Sequence, residues 1–87
     1  MAKSSSRETP LYTVWCPEIG QDSSMGNSYG AIDVRRAAEI HARYNQQWEQ
    51  WPKDLYVKDP DGVIWSVIVN RVMAPDFVGA NPVMVVR

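Results

Sequence analysis

His41 is the chain's one histidine and Cys16 its one cysteine. The smallest catalytic unit these residues could build is a Cys16 thiolate with His41 as its base, one from a strand and one from a facing helix. No carboxylate stands out to orient the ring, no oxyanion loop is visible, and 87 residues leave little room for a substrate pocket. The expectation is therefore a packed thiol and a core histidine bonded to a tyrosine or to backbone. A lone cysteine excludes an intramolecular disulfide and a multi-cysteine zinc site, and a lone histidine excludes a histidine metal cluster. Asp59-x-Asp61-Gly62 begins like a calcium loop, but position twelve from Asp59 is Asn70, where a bidentate glutamate is needed. It reads as a turn. Gly20, Gly26, Gly30, Gly62 and Gly79 never fall in phosphate-cradle spacing, and no Gly-Lys-Ser/Thr follows them. No cofactor, no metal and no enzymatic activity are expected.

Recognition chemistry is better represented. Arg35, Arg36 and Arg43 recur on one face of a helical stretch, with Lys53 beyond its end. The patch could meet phosphates or an acidic protein, but Glu39 and Glu49 interrupt it, the formal net charge is −1, and no stacking platform lies beside it. Direct nucleic acid binding is not expected, and a solvated helix face is the plainer reading. The acidic residues are scattered and make no block that would mimic DNA. Four Trp and four Tyr are more aromatic mass than so small a core can fully bury. Trp48 and Trp51 stand three apart beside Pro52, so with Trp48 inward, Trp51 is near the rim, where it either anchors a partner or lids the core. The expected partner-binding residues are Trp48, Trp51, Arg35, Arg36, Arg43 and the acidic hairpin residues Asp59 and Asp61.

These residues must be carried by few elements. Residues 1–10, with three consecutive serines and Pro10, lack periodicity and predict a mobile tail, leaving 11–87 as a single domain. Leu11 to Cys16 favours extended structure until Pro17, and Gly20 to Gly30 is dense in loop formers, which predicts a long surface loop. Asp33 is a helix N-cap, and from Val34 the residues Ala37, Ala38, His41, Tyr44 and Trp48 share one face; about four turns end at Trp51-Pro52. Leu55 to Lys58, the turn Asp59-Pro60-Asp61-Gly62 and Val63 to Val72 predict a hairpin. Phe77 anchors the next stretch. Pro82 to Val86 reads as a last extended piece, at the sheet edge or exchanged with a partner.

The fold class is α+β: a small three- to four-stranded antiparallel sheet in the order β-α-β-β, with one helix packed on one face. One helix leaves Ile64 and Ile68, on the reverse of the returning strand, to be covered by the C-terminal segment or to form a dimer face. Hydrophobic residues make up 45% and charged residues 22%, the balance of a soluble folded chain. No secretory signal and no run of membrane length is visible, so a cytoplasmic protein is expected.

Tyr12-Thr13-Val14-Trp15, Asp33 with Ala37-Ala38-Glu39, Val57-Lys58-Asp59-Pro60-Asp61-Gly62, Val67-Ile68-Val69 and Pro75 with Phe77 form an ordered set. In that order the chain resembles a loose group of small uncharacterised domains of phages and bacterial mobile elements, over Tyr12 to about Asn81. The resemblance transfers no catalytic residue. It implies a non-enzymatic inhibitor of a host defence complex, of the anti-CRISPR type, acting sterically in the host cytoplasm. A homodimeric structural or regulatory module is the alternative, and the two are compatible.

Overall fold

The computed structural model describes residues 9–73 and 76–85, so most of the expected N-terminal tail lies outside the described residues. Six strands and one helix follow in the order β1 (Leu11–Trp15), β2 (Asn27–Gly30), α1 (Val34–Tyr44), β3 (Lys53–Lys58), β4 (Ile64–Met73), β5 (Asp76–Gly79) and β6 (Val83–Met84). Every pairing is antiparallel, in the order β2-β1-β3-β4-β5, and β6 pairs with the first half of β4 beside β5. The class is α+β with one helix, but the sheet has six strands where three to four were expected.

Two expectations fail. The supposed loop 20–30 contains β2, which pairs with β1 from Leu11↔Gly30 to Val14↔Asn27. Asn, Ser and Gly carry little strand propensity and only Tyr29 favours a strand, so this element is held chiefly by its partner and by the inward hydrogen bond of Tyr29. The helix stops at Tyr44, well short of Trp51, because Asn45 leaves helical geometry and turns back on it. Its side-chain amide donates to the His41 carbonyl at 2.8 Å and its backbone N–H to that of Ala42.

The helix begins as expected: the Asp33 carboxylate accepts from the Arg36 N–H at 2.8 Å. Its buried face is made mostly of alanine, with Ala37, Ala38 and Ala42 fully buried, so the helix lies close on the sheet. Beneath it sit Tyr12, Val14 and Cys16, then Leu55 and Val57, then Val67 and Val69, and Phe77 at the far edge. The approach is tightest at Gly79, where an added Cβ would stand 2.9 Å from Arg35 Cγ and 3.1 Å from Val67 Cγ1. The β3–β4 turn closes as its residues dictate: Gly62 has a φ of 88°, its N–H donates to the Asp59 carbonyl, and the Asp59 side chain accepts from the N–H groups of Asp61 and Val63.

The C-terminal segment divides between the two readings given for it. Phe77 joins the helix side, β6 pairs with Trp65 and Ser66, and Val85 reaches Ile64, but Ile68 stays open. No helix among the described residues is long and apolar enough to cross a membrane. Replacing Ala38 by Leu inserts a branched side chain where the helix touches the sheet. Urea unfolding of Ala38→Leu is expected to show a loss of about 1–3 kcal/mol; an unchanged midpoint would mean that helix and sheet are not in close contact there.

Candidate functional site

Three regions carry the chemistry the sequence singled out. The first is a run of rings from the sheet edge across the end of the helix. Tyr44 stacks on Tyr29 at 5.7 Å with the planes 11° apart; Tyr29 meets His41 edge-on at 5.4 Å, and His41 meets Trp48 at 5.7 Å. Trp48 leads to Trp51 at 6.1 Å, and Trp51 to Phe77 at 4.6 Å. The Trp51 indole N–H donates to the Trp48 carbonyl at 2.6 Å, and Arg71 from β4 donates to the carbonyls of Gln46 and Trp48 while lying over the Phe77 ring. This ties residues 45–51 down as a roof where the helix has ended. Trp48 and Trp51 are half-buried parts of that roof.

Lys53, expected in an exposed basic patch, is buried, with its ammonium 5.7 Å from the centre of the Trp48 ring. It alternates with Leu55 and Val57 on β3, and the strand period points all three inward. His41 is 2% exposed; Nδ1 lies 2.7 Å from the Tyr29 hydroxyl, and Nε2 has no partner among the described residues. Burial pushes the imidazole down to about 4. The Cys16 thiol faces the Asp54 carbonyl at 3.9 Å, so neither thiol nor imidazole bonds to the other.

The second region is at the start of the helix. Asp33, Val34, Arg35, Trp65, Asn81 and Pro82 line a hollow of about 340 Å³. Arg35 is exposed, whereas Arg36 pairs with Glu39 at 3.3 Å. Asp59 accepts the Trp65 indole N–H at 3.0 Å. Partial burial pushes its carboxyl up, but the hydrogen bonds from Trp65 and from the backbone of Val63, Asp61 and Gly62 outweigh it and hold the group below its ordinary value. The Tyr12 phenol is pushed up, first by burial and then by Asp33, Asp59 and Asp61, which together make this end acidic. The expected partner-binding residues thus fall in two places: Arg35, Arg36, Asp59 and Asp61 at the helix start, and Arg43, Trp48 and Trp51 at its other end.

The third region is the sheet face away from the helix. On one half Trp15 packs edge-on against Tyr56 at 6.0 Å, and the two line a hollow of about 550 Å³ with Pro17, Gln21, Ile64 and Val85. Across from it Ser66 donates to the Asp54 carboxylate at 2.5 Å. The other half is open and apolar, with Ile68 51%, Val78 54% and Val83 65% exposed. Ile68 was legible from the strand period; Val78 and Val83 were not, because their strands were not assigned to this face. No family model, curated protein or solved structure matches the chain. Among the described residues no group of His, Cys, Asp and Glu is placed to hold a metal.

Two outcomes follow from the roof. In the unfolded chain His41 binds a proton near pH 6.5 and in the folded one only near 4, so folding stability is complete above 6.5 and falls as the pH drops to 4. The loss is expected to be on the order of 2–3 kcal/mol, and denaturation curves of His41→Gln should lack that part of the slope; an identical slope would place the titration elsewhere. Trp51→Ala is expected to cost about 2–4 kcal/mol in thermal or urea unfolding, and a variant as stable as the wild type would return Trp51 to the role of a free anchor.

Proposed function

We propose that the protein is a non-enzymatic binding module that docks a protein partner on the open half of its sheet. The observation that carries this reading is the set of Ile68, Val78 and Val83, each at least half exposed, on a face that no second layer among the described residues covers. Isolated exposed aliphatics are ordinary, but several on adjoining strands lower the free energy when another surface excludes water from them. Val78 stands across from Asn70 and Val83 across from Ser66, while Asp54, held by Ser66, stands across from Ile68 and bounds the patch on the β3 side. Trp48 and Trp51 support it from behind as part of the core's roof. Arg35, Arg36 and Arg43 are exposed on the helix, on the opposite side of the sheet, and take no part in this surface.

The resemblance to phage and mobile-element domains makes a host defence complex the proposed partner class, a CRISPR surveillance complex among them, blocked sterically. A second copy of the chain is the alternative, since the same apolar patch can face itself about a two-fold axis. Either partner reads out with Ile68→Lys and Val78→Lys. Both positions are exposed and the variants should stay within about 0.5 kcal/mol of wild-type stability. In pull-downs from a lysate containing defence complexes, the wild type is expected to retain a complex that both variants lose. Light scattering separates the alternatives, since a dimer that becomes a monomer in the variants marks self-association. Unchanged capture and unchanged mass in both variants would remove the sheet face as the docking surface.

A further inference from the structure

The two edges of the sheet are finished differently. At β5 the outward N–H of Gly79 is taken by the Glu39 carboxylate at 2.8 Å, so that edge is blocked by the helix. At β2 no such block is present among the described residues. The Ala31 N–H donates to the Pro10 carbonyl at 3.1 Å, which fixes the alternation of the β1–β2 ladder. Pro10 and Ala31 are a hydrogen-bonded pair, so Tyr12 with Tyr29 and Val14 with Asn27 are hydrogen-bonded pairs as well. Ser28 and Gly30 therefore turn their N–H and C=O groups away from β1. The strand carries no lysine, proline or bulge, the usual guards of an edge.

A second feature lies along the same strand. Asn27, Ser28 and Tyr29 of β2, with Tyr44 and Asn45 at the end of α1, line a depression of about 510 Å³. Every lining group is a phenol, an amide or a hydroxyl, and none is charged. Tyr44 is 72% exposed and its ring is steadied by stacking on Tyr29, which is itself bonded to His41.

We infer that the β2 edge is a strand-addition site for an extended peptide segment of a partner protein, whose side chain opposite Tyr29 enters the depression beside Tyr44. Two outward donors and two outward acceptors, at Ser28 and Gly30, match the repeat of an antiparallel strand and supply up to four hydrogen bonds. Opposite Tyr29 the incoming residue forms a non-hydrogen-bonded pair, the closer kind, and its side chain points to the helix side of the sheet. The uncharged lining selects an aromatic, aliphatic or amide side chain, because a charged one would find no counter-charge there. A second folded copy is a poorer occupant. Pairing β2 with β2 joins strands of only four residues, well short of the roughly 1,000 Å² that a stable assembly buries. The site is carried by backbone polarity and stands apart from the apolar sheet face, so either can fail without the other.

The test is a phage-displayed library of linear twelve-residue peptides panned on the whole protein, with the selected peptide synthesised for hydrogen exchange by NMR. In the free protein the amides of Ser28 and Gly30 are expected to exchange freely while Tyr29 is protected. Saturating peptide should slow Ser28 and Gly30 at least ten-fold. Tyr44→Ala should weaken the peptide about ten-fold, and Ser28→Pro with Gly30→Pro, which removes both donors, should abolish binding. Exchange in the wild type decides the matter even if the proline variants fail to fold. No enrichment above background, protection confined to Ile68 and Val78, or protection of Ser28 and Gly30 that rises with protein concentration in the absence of peptide would each overturn the inference; the last would name a second copy as the occupant.

Discussion

Eleven residues of helix make a rod about 16 Å long, and one such rod is all the cover that the described sheet receives from regular structure. Much of the rest of the molecule answers that shortage. On the helix side the rod is laid close by its alanines, so its short length is used fully against β1, β3, β4 and β5. Where it stops, Asn45 turns the chain and Trp48, Trp51 and Phe77 take over as a roof, held by Arg71 through the carbonyls of residues 46 and 48. On the other side the described residues offer only the turns after β1 and the end of β6. They reach Trp15, Tyr56 and Ile64 and go no further. The apolar half-face is what remains after a single helix and two short segments have been spent.

The roof is unusual in enclosing two nitrogen bases. Lys53 and His41 both lie within van der Waals or cation–π range of Trp48, one beneath the ring's edge in the strand and one beside it in the helix. An aromatic face compensates a cation through its quadrupole but gives it no lone pair, whereas the Tyr29 hydroxyl gives the imidazole a hydrogen-bond partner on one side only. Burial keeps the histidine neutral. Both polar groups meet the ring run at Trp48, in its middle, and fix the placement of that ring, a specificity that a purely aliphatic roof would lack.

What the sequence made legible divides along physical lines. Elements whose signal is local were read correctly in kind: the Asp33 cap, the hairpin built on Asp59 and Gly62, and the alternation of β4. His41 is legible as a core residue bonded to a tyrosine or to backbone, and the structure makes the partner Tyr29. Elements whose cause is non-local were missed. Asn27 to Gly30 becomes a strand because β1 presents it with a ladder, and nothing in four polar and small residues announces this. The end of the helix was placed at Pro52, the strongest breaker in view, although Asn45 acts seven residues earlier through a weaker but nearer hydrogen bond. Lys53 is legible against its residue type: counting back by twos from Val57 and Leu55 places it inward, although lysine side chains ordinarily face solvent. The surface residues are harder still, because exposure is decided by what the remainder of the chain fails to cover.

The strand order also says how the chain must assemble. Four of the five pairings join stretches near each other in sequence, and the fifth does not: β1 meets β3 with Trp15 opposite Tyr56. The sheet is thus two locally closed blocks, β1 with β2 and β3 with β4 to β6, separated by the helix and its following turns. Bringing them together is the step with the longest loop to close, and loop closure of that length slows folding more than it weakens the product. The helix belongs to neither block yet touches strands of both. Its small-residue face therefore serves as a clasp: it converts two hairpin-like halves into one continuous sheet, and the late, costly contact of folding is the one it holds shut.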